Sequence, residues 1–176
     1  MPYDYIAPTP HMRFVIERVL RAPDSWARVE GWRDLDGQTL EAVLDEAARF
    51  SRERLLPLNA LGDAQGCGRA ADGAVTAPHG FREAYQAFVE GGWPALPCDP
   101  QWEGQGLPLL LDAAVREMLD ACNHAWNMYP DLLHGAYETL KAHGSDELKQ
   151  RYLADIATGR TLAAMALTEP GAGSDL

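Results

Sequence analysis

The chain has 176 residues and a formal net charge of −11, from 15 basic and 26 acidic side chains, a balance that repels nucleic acid and anionic membrane surfaces over most of the molecule. Its three cysteines, Cys67, Cys98 and Cys122, stand 31 and 24 residues apart with no Cys-x-x-Cys pair, which excludes a disulfide framework or a zinc site and suits a reducing compartment. Nowhere do eighteen apolar residues run together, so a soluble, cytoplasmic protein with one core and no membrane partner is expected, although a local phosphate site remains possible at a helix N-terminus.

The opening "MPYDYIAPTP" holds three prolines and cannot be a helix interior. "HMRFVIERVL" then places Met12, Val15, Ile16, Val19 and Leu20 on one face, which predicts a short amphipathic helix ending before Pro23. Residues 24–38 are mixed, with Trp26 and Trp32 as docking aromatics. From Thr39 the apolar residues Leu40, Val43, Leu44, Ala47, Ala48 and Leu55 recur at helical spacing; Thr39 is the expected cap and Pro57 the expected end. Residues 59–79 are glycine-rich and read as a long connection, packed down or folded into a small hairpin near Ala74–Thr76. "GFREAYQAFVEGG" predicts a helix with Phe81, Tyr85, Phe88 and Val89 on one side, ended by its glycine pair.

A turn-rich stretch leads to a further helix from Leu107 through Leu110, Ala114, Val115, Met118 and Leu119 towards "ACNHAWNMY", bounded by Tyr129-Pro130. "DLLHGAYETLKAHG" and "SDELKQRYLADIATG" predict two more, with Asp131 and Ser145 as caps and Gly144 and Gly159 as boundaries. Residues 162–168 turn apolar and allow a short buried strand before "EPGAGSD" breaks into turn residues, Pro170 being suited to the second position of a turn. The fold class is all-α, about six helices with no repeat; we divide it into an N-terminal extension with one short helix (1–38), a helical domain (39–160) and the beginning of something else (161–176).

Residue chemistry by itself is sparse. The histidines His124, His134 and His143 are spaced ten and nine apart with no His-x-x-x-His or Glu-x-x-His pair, so no metal site is expected. No serine sits in a Gly-x-Ser-x-Gly elbow, and the glycines of "TEPGAGSD" lack the lysine of a phosphate-binding loop. Glycines beside Thr168 and Ser174 hydroxyls could face a flat or phosphorylated ligand, or could form an ordinary surface turn.

The stretch "ALTEPGAGSD", residues 166–175, resembles the signature of the acyl-CoA dehydrogenase family, and "HGSDELKQRYLADIATGR" resembles the helix and turn that precede it. "PLNALGDAQGC", "GFREAYQAFVEGGWPAL" and "EGQGLP" resemble further landmarks of the family's N-terminal helical domain, so the likeness covers nearly the whole chain and the first third or so of a family member. The leading "YIAPTPHMRFVIERVL" resembles the 3-methylmercaptopropionyl-CoA dehydrogenase branch.

The resemblance implies an all-helical domain cut at its entry into a central β domain, FAD as cofactor, and removal of two hydrogens from an acyl-CoA thioester. It implies that Met165, Leu167 and Thr168 line the flavin through backbone amides and the Thr168 hydroxyl, favouring the negative charge of reduced flavin. Gly173 and Ser174 would approach the pyrophosphate and the CoA arm, and Asn123, Trp126 and Met128 would line the acyl pocket, with core packing as the competing role for Trp126. The family's catalytic base lies further downstream, so Glu169 is structural, no catalytic residue falls within the chain, and the fragment alone is expected to be inactive. Electron-transferring flavoprotein as electron acceptor and a homodimer or homotetramer are the implied partners. The alternatives are a non-catalytic helical interaction module and a flavoenzyme of the same fold acting on a non-CoA substrate.

Overall fold

The computed structural model describes residues 4–174. Pro8 opens α1 (Thr9–Phe14), which widens into a π-helical segment over Val15–Val19, and α2 (Ala22–Trp26) and a 3-10 turn over Glu30–Trp32 follow. Two short α-helices therefore precede residue 38, where the apolar spacing indicated one. Met12, Ile16 and Trp26 are buried in the same core as the longer helices, so this leading stretch is packed onto the bundle.

The next helix starts two residues earlier than its apolar pattern. Asp36, in extended conformation, accepts a 2.7 Å hydrogen bond from the Thr39 amide and caps α3 (Gly37–Phe50), so Asp36 takes the role expected of Thr39. Nor does Pro57 end this helix. The ladder widens to π geometry over Ser51–Leu55 and resumes as α4 (Leu56–Gln65), with the proline in the first turn of the resumed segment. A proline removes one i→i−4 bond and crowds the carbonyl four residues back; a local widening relieves both. The remaining connection forms the anticipated hairpin, β1 (Gly68–Arg69) pairing antiparallel with β2 (Val75–Thr76) in the register Gly68 opposite Thr76.

Helix α5 (Phe81–Glu90) ends at Gly91, and the chain then doubles back on itself through 3-10 turns at Trp93–Ala95 and Pro100–Trp102. Backbone bonds from Gln105 to Ala95, Gly106 to Cys98 and Leu107 to Leu96, at 2.7–2.9 Å, hold this double strand of loop together, and the Trp32 indole donates to the Gly106 carbonyl at 2.6 Å. Helices α6 (Leu109–Asn127), α7 (Leu132–His143) and α8 (Asp146–Ala157) complete the bundle. Ser145 caps α8 through the Leu148 amide as its position suggests, whereas Asp131 makes no side-chain cap on α7 and instead accepts from Arg116 at 2.6 Å.

Helix α6 is the central element, packed by α3, by the π segment and by α4. Leu40, Leu44, Leu55, Leu111, Met118 and Leu119 are sealed from solvent between them, each contributing roughly 1.5–3 kcal/mol relative to exposure. A smaller cluster of Cys98, Leu133, Tyr137, Leu153, Ile156 and Ala157 lies where α7 and α8 pack together against the doubled loop. Residues 162–168 form no strand; their conformation is irregular, and the alanine-rich composition gives little β preference to resist that.

Candidate functional site

The expected site residues fall on two stretches, the end of α6 and the segment after α8. Helix α6 is broken at Asn123, whose backbone (φ −160°, ψ 81°) is extended. The Asn123 side chain holds that break: its Oδ1 accepts a 3.0 Å bond from the Trp126 amide, an N-cap inside a helix, and its Nδ2 donates to the Leu55 carbonyl at 3.4 Å. Asn123 is 1% exposed and Trp126 2% exposed. The Trp126 indole donates to the Phe81 carbonyl at 3.1 Å and meets the Phe88 ring edge-on at 5.5 Å. Both side chains are thus committed inside the bundle, because a buried amide or indole N–H must find its partner there. Of the three expected acyl-pocket residues only Met128, 64% exposed, presents its side chain outward.

Beyond α8 the chain leaves through Gly159, whose φ of +76° is a conformation glycine alone takes readily. A Cβ there would lie 2.9 Å from Pro94 Cγ and 3.0 Å from Val89 Cγ2, so the backbone passes against α5 and the doubled loop with no room for a side chain. The Tyr85 hydroxyl donates to the Gly159 carbonyl at 2.7 Å, and the Tyr85 ring meets Tyr129 edge-on at 5.4 Å. Burial, and secondarily the neighbouring Tyr129, pushes the Tyr85 phenol up to about 12. Tyr85 is therefore the residue on which the end of α6 and the exit from α8 converge. Arg160 completes the junction, with Nη1 and Nη2 on the Glu103 carboxylate at 2.9 and 3.2 Å and Nε on Asp155 at 2.8 Å. These bonds hold Glu103 below the usual carboxylate range and Arg160 above its own.

Past this junction Leu162 and Ala163 pack against the smaller cluster, and the segment then opens to solvent. Met165 and Leu167 are 62% and 53% exposed, and Thr168 and Ser174 are exposed too. Among the described residues, none of the backbone N–H groups from 162 to 168 donates to another backbone carbonyl. Glu169 and Ala172 exchange both of their backbone bonds, at 3.0 and 3.2 Å, around Pro170 and Gly171, so Glu169 sits in a tight turn. Nothing lies within 4 Å of a Cβ built at Gly173. Among the described residues the segment is thus a row of exposed amides that donate to no backbone carbonyl, with apolar side chains between them, and these donors are open to an acceptor from outside the bundle.

Two cavities lie elsewhere. A groove of about 640 Å³ between α4, the hairpin, α5 and α6 is lined by Leu56, Pro57, Gly62, Cys67, Phe81 and Ala125, and one of about 310 Å³ lies between α1 and α6. None of the expected site residues lines either. Among the described residues no three metal-ligating side chains come together, and no helix is long and apolar enough to cross a membrane.

Sequence reasoning placed Tyr85 only on an apolar helix face and did not single out Glu103 or Arg160. Their contacts span 74 and 57 residues, and no local pattern reports a pairing of that separation.

The molecule is thus a helical bundle whose last helix leads into a glycine-rich segment at its surface. Residues 37–160 match the family described as "Acyl-CoA dehydrogenase, N-terminal domain". The chain belongs to the acyl-CoA dehydrogenase family. It is 36% identical over 175 residues to 3-methylmercaptopropionyl-CoA dehydrogenase of Ruegeria pomeroyi, a match covering 98% of this chain and 29% of that protein. It is 32% identical over 150 residues to a butyryl-CoA dehydrogenase of Syntrophomonas wolfei, covering 84% of this chain and 24% of the relative. A solved structure described as "Electron transferring flavoprotein of Acidaminococcus fermentans: Towards a mechanism of flavin-based electron bifurcation" superposes with a TM-score of 0.62 at 25% identity, over 81% of this chain and 34% of that one. The chain spans less than a third of the length of the two dehydrogenases and about a third of the solved structure's chain.

Proposed function

We propose that this chain is the helical N-terminal part of an FAD-dependent acyl-CoA dehydrogenase that introduces a double bond between the alpha and beta carbons of an acyl-CoA thioester, with 3-methylmercaptopropionyl-CoA as its substrate. The observation that carries this reading is the match of residues 37–160 to the family's N-terminal domain, followed by the family-like stretch at residues 166–175 on the bundle's surface. Residues 1–38 are the extension, 39–160 the helical domain, and 161–176 the start of a β domain.

FAD, when bound, supplies the hydride acceptor. The chain's own residues bind and orient. The amides of Met165, Leu167 and Thr168 and the Thr168 hydroxyl would hold the cofactor's polar edge, supplying donors that favour negative charge there, as donors in an oxyanion hole favour an oxyanion. Gly173 leaves room for a diphosphate, and the Ser174 hydroxyl donates to it and to the CoA arm. Met128 covers the acyl chain with a flexible, polarisable side chain, while Asn123 and Trp126 hold the turn that presents it. No residue of this chain takes the alpha proton, so the 176 residues alone do not turn over. Electron-transferring flavoprotein accepts the electrons, the protein works as a homodimer or homotetramer, and its unpaired thiols suit the cytoplasm.

The test is the complete gene product, purified and examined for a flavin absorbance band. Anaerobic addition of 3-methylmercaptopropionyl-CoA should bleach the band faster than butyryl-CoA does. A colourless protein that takes up no FAD on reconstitution would remove the enzyme reading and leave a helical interaction module; flavin that no acyl-CoA bleaches would point to a non-CoA substrate.

A further inference from the structure

We infer that Tyr85 and the Glu103–Arg160 pair are positioning residues that set the direction in which residues 161–174 leave the bundle, so that the flavin-facing segment is aimed by α5 and the doubled loop. The consequence for flavin rests on the functional reading above; the aiming itself does not.

A set of contacts fixes three consecutive residues, Gly159, Arg160 and Thr161. The Tyr85 hydroxyl holds the Gly159 carbonyl at 2.7 Å, and Pro94 and Val89 occupy the space that a side chain at Gly159 would need. Three nitrogens of Arg160 are engaged at 2.8–3.2 Å, two of them in a fork on Glu103, and the Thr161 amide donates to the Asp155 carbonyl at 3.1 Å. A guanidinium is planar with its donors in fixed directions, so a forked pair plus a third bond fixes the orientation of the group as well as its position. Beyond Ala163, among the described residues, the segment has only the Glu169–Ala172 turn to organise it, and that turn is internal. The direction of Met165, Leu167 and Thr168 is therefore inherited from the junction behind them.

Glu103 and Arg160 are both about half exposed, and solvent-exposed ion pairs contribute little to global stability. A network whose loss leaves the bundle standing but frees the segment has a local effect, and that separates positioning from mere support.

The chain itself supplies the first arm of the test. In a Cys67→Ser background, spin labels are attached at Asp45→Cys on α3 and Ala166→Cys in the segment, Cys98 and Cys122 being buried and unreactive. Pulsed dipolar spectroscopy should give one narrow distance distribution. Tyr85→Phe with Glu103→Gln should widen it about twofold while the thermal midpoint stays within a few degrees. Glu103→Gln alone, a surface change, should widen it less, and Arg160→Lys, which keeps the charge but loses the fork, should widen it too. The second arm uses the complete gene product: FAD release on dilution, read by flavin fluorescence, should be about tenfold faster in the double variant. A broad distribution without any substitution, or one the variants leave unchanged, overturns the aiming. Widening without faster release overturns its role at the flavin. If the unsubstituted gene product holds no FAD, the functional reading fails while the distances still decide whether the junction aims the segment.

Discussion

Replacing Asn123 by alanine tests what holds the break in α6. The substitution removes the Oδ1 acceptor of the buried Trp126 amide, a 3.0 Å bond, and leaves that N–H unpaired, which costs about 1–3 kcal/mol. The companion bond to the Leu55 carbonyl is 3.4 Å, beyond the ordinary range, so its loss adds little. Alanine also gains up to about 0.7 kcal/mol of helix propensity, which the chain could use by straightening α6. The loss outweighs the gain, and the net destabilisation is about 1–2 kcal/mol, or roughly 2–8 °C in thermal midpoint for a domain of this size. Urea unfolding followed by far-UV circular dichroism should show a lowered midpoint at unchanged slope. Asn123→Asp keeps the acceptor but buries a carboxylate; burial raises its pKa, so this variant should lie closest to the parent protein below about pH 4 and lose ground as pH rises from there. An alanine variant as stable as the parent protein would mean that the break is imposed by the packing of α3 and α4 and owes nothing to the asparagine.

Gly159→Ala forces a β-carbon into a left-handed backbone wedged against Pro94 and Val89, and should cost about 1–3 kcal/mol by thermal denaturation. Gly104→Ala is more severe, because the added Cβ would overlap the Cys98 carbonyl group within the doubled loop, and the variant should be recovered mainly as insoluble protein. With an Ellman-type reagent under native conditions one of the three thiols should react promptly: Cys67 is exposed, while burial pushes the buried Cys98 and Cys122 thiols up to about 12 and about 11. The Tyr85 and Tyr137 phenols rise from 10.0 to about 12, chiefly through burial. The folded state therefore keeps protons that the unfolded chain releases, on the two buried thiols from about pH 9 and on the two phenols from about pH 10, so stability falls between about pH 9 and 12, and Tyr85→Phe should flatten the upper part of that fall.

What the sequence made legible was whatever repeats at short range. Phe81, Tyr85 and Phe88 announce α5 by their spacing, Ser145 caps α8 as its neighbours imply, and "ALTEPGAGSD" carries its family likeness in consecutive residues. Local rules failed where two of them competed. Thr39 and Asp36 can both cap a helix, and the carboxylate in extended conformation three residues ahead of the amide wins. Pro57 reads as a terminator because the interior clash is the usual outcome, and nothing local shows that the ladder can widen around it. Apolar periodicity runs unbroken through Met118, Leu119, Cys122 and Trp126, so it hides the change of backbone at Asn123 between them. Burial of Asn123 and Trp126 depends on α3, α4 and α5 closing over α6, a matter of tertiary packing that residue type leaves open.

The widened turn at Ser51–Leu55 also acts as a setting of phase. Residues 37–65 form one nearly continuous rod, and each residue of an α-helix advances it by about 100°. The widened turn closes its ladder five residues back, so it holds one extra residue and could lose it with little rotation, whereas deleting a residue from α3 would rotate everything beyond by about that angle. Leu56, Pro57 and Gly62 would then swing off the groove they line, and the hairpin would be carried round with them. The spine of the bundle therefore tolerates substitutions on its surface far better than it tolerates a change in its length outside that turn.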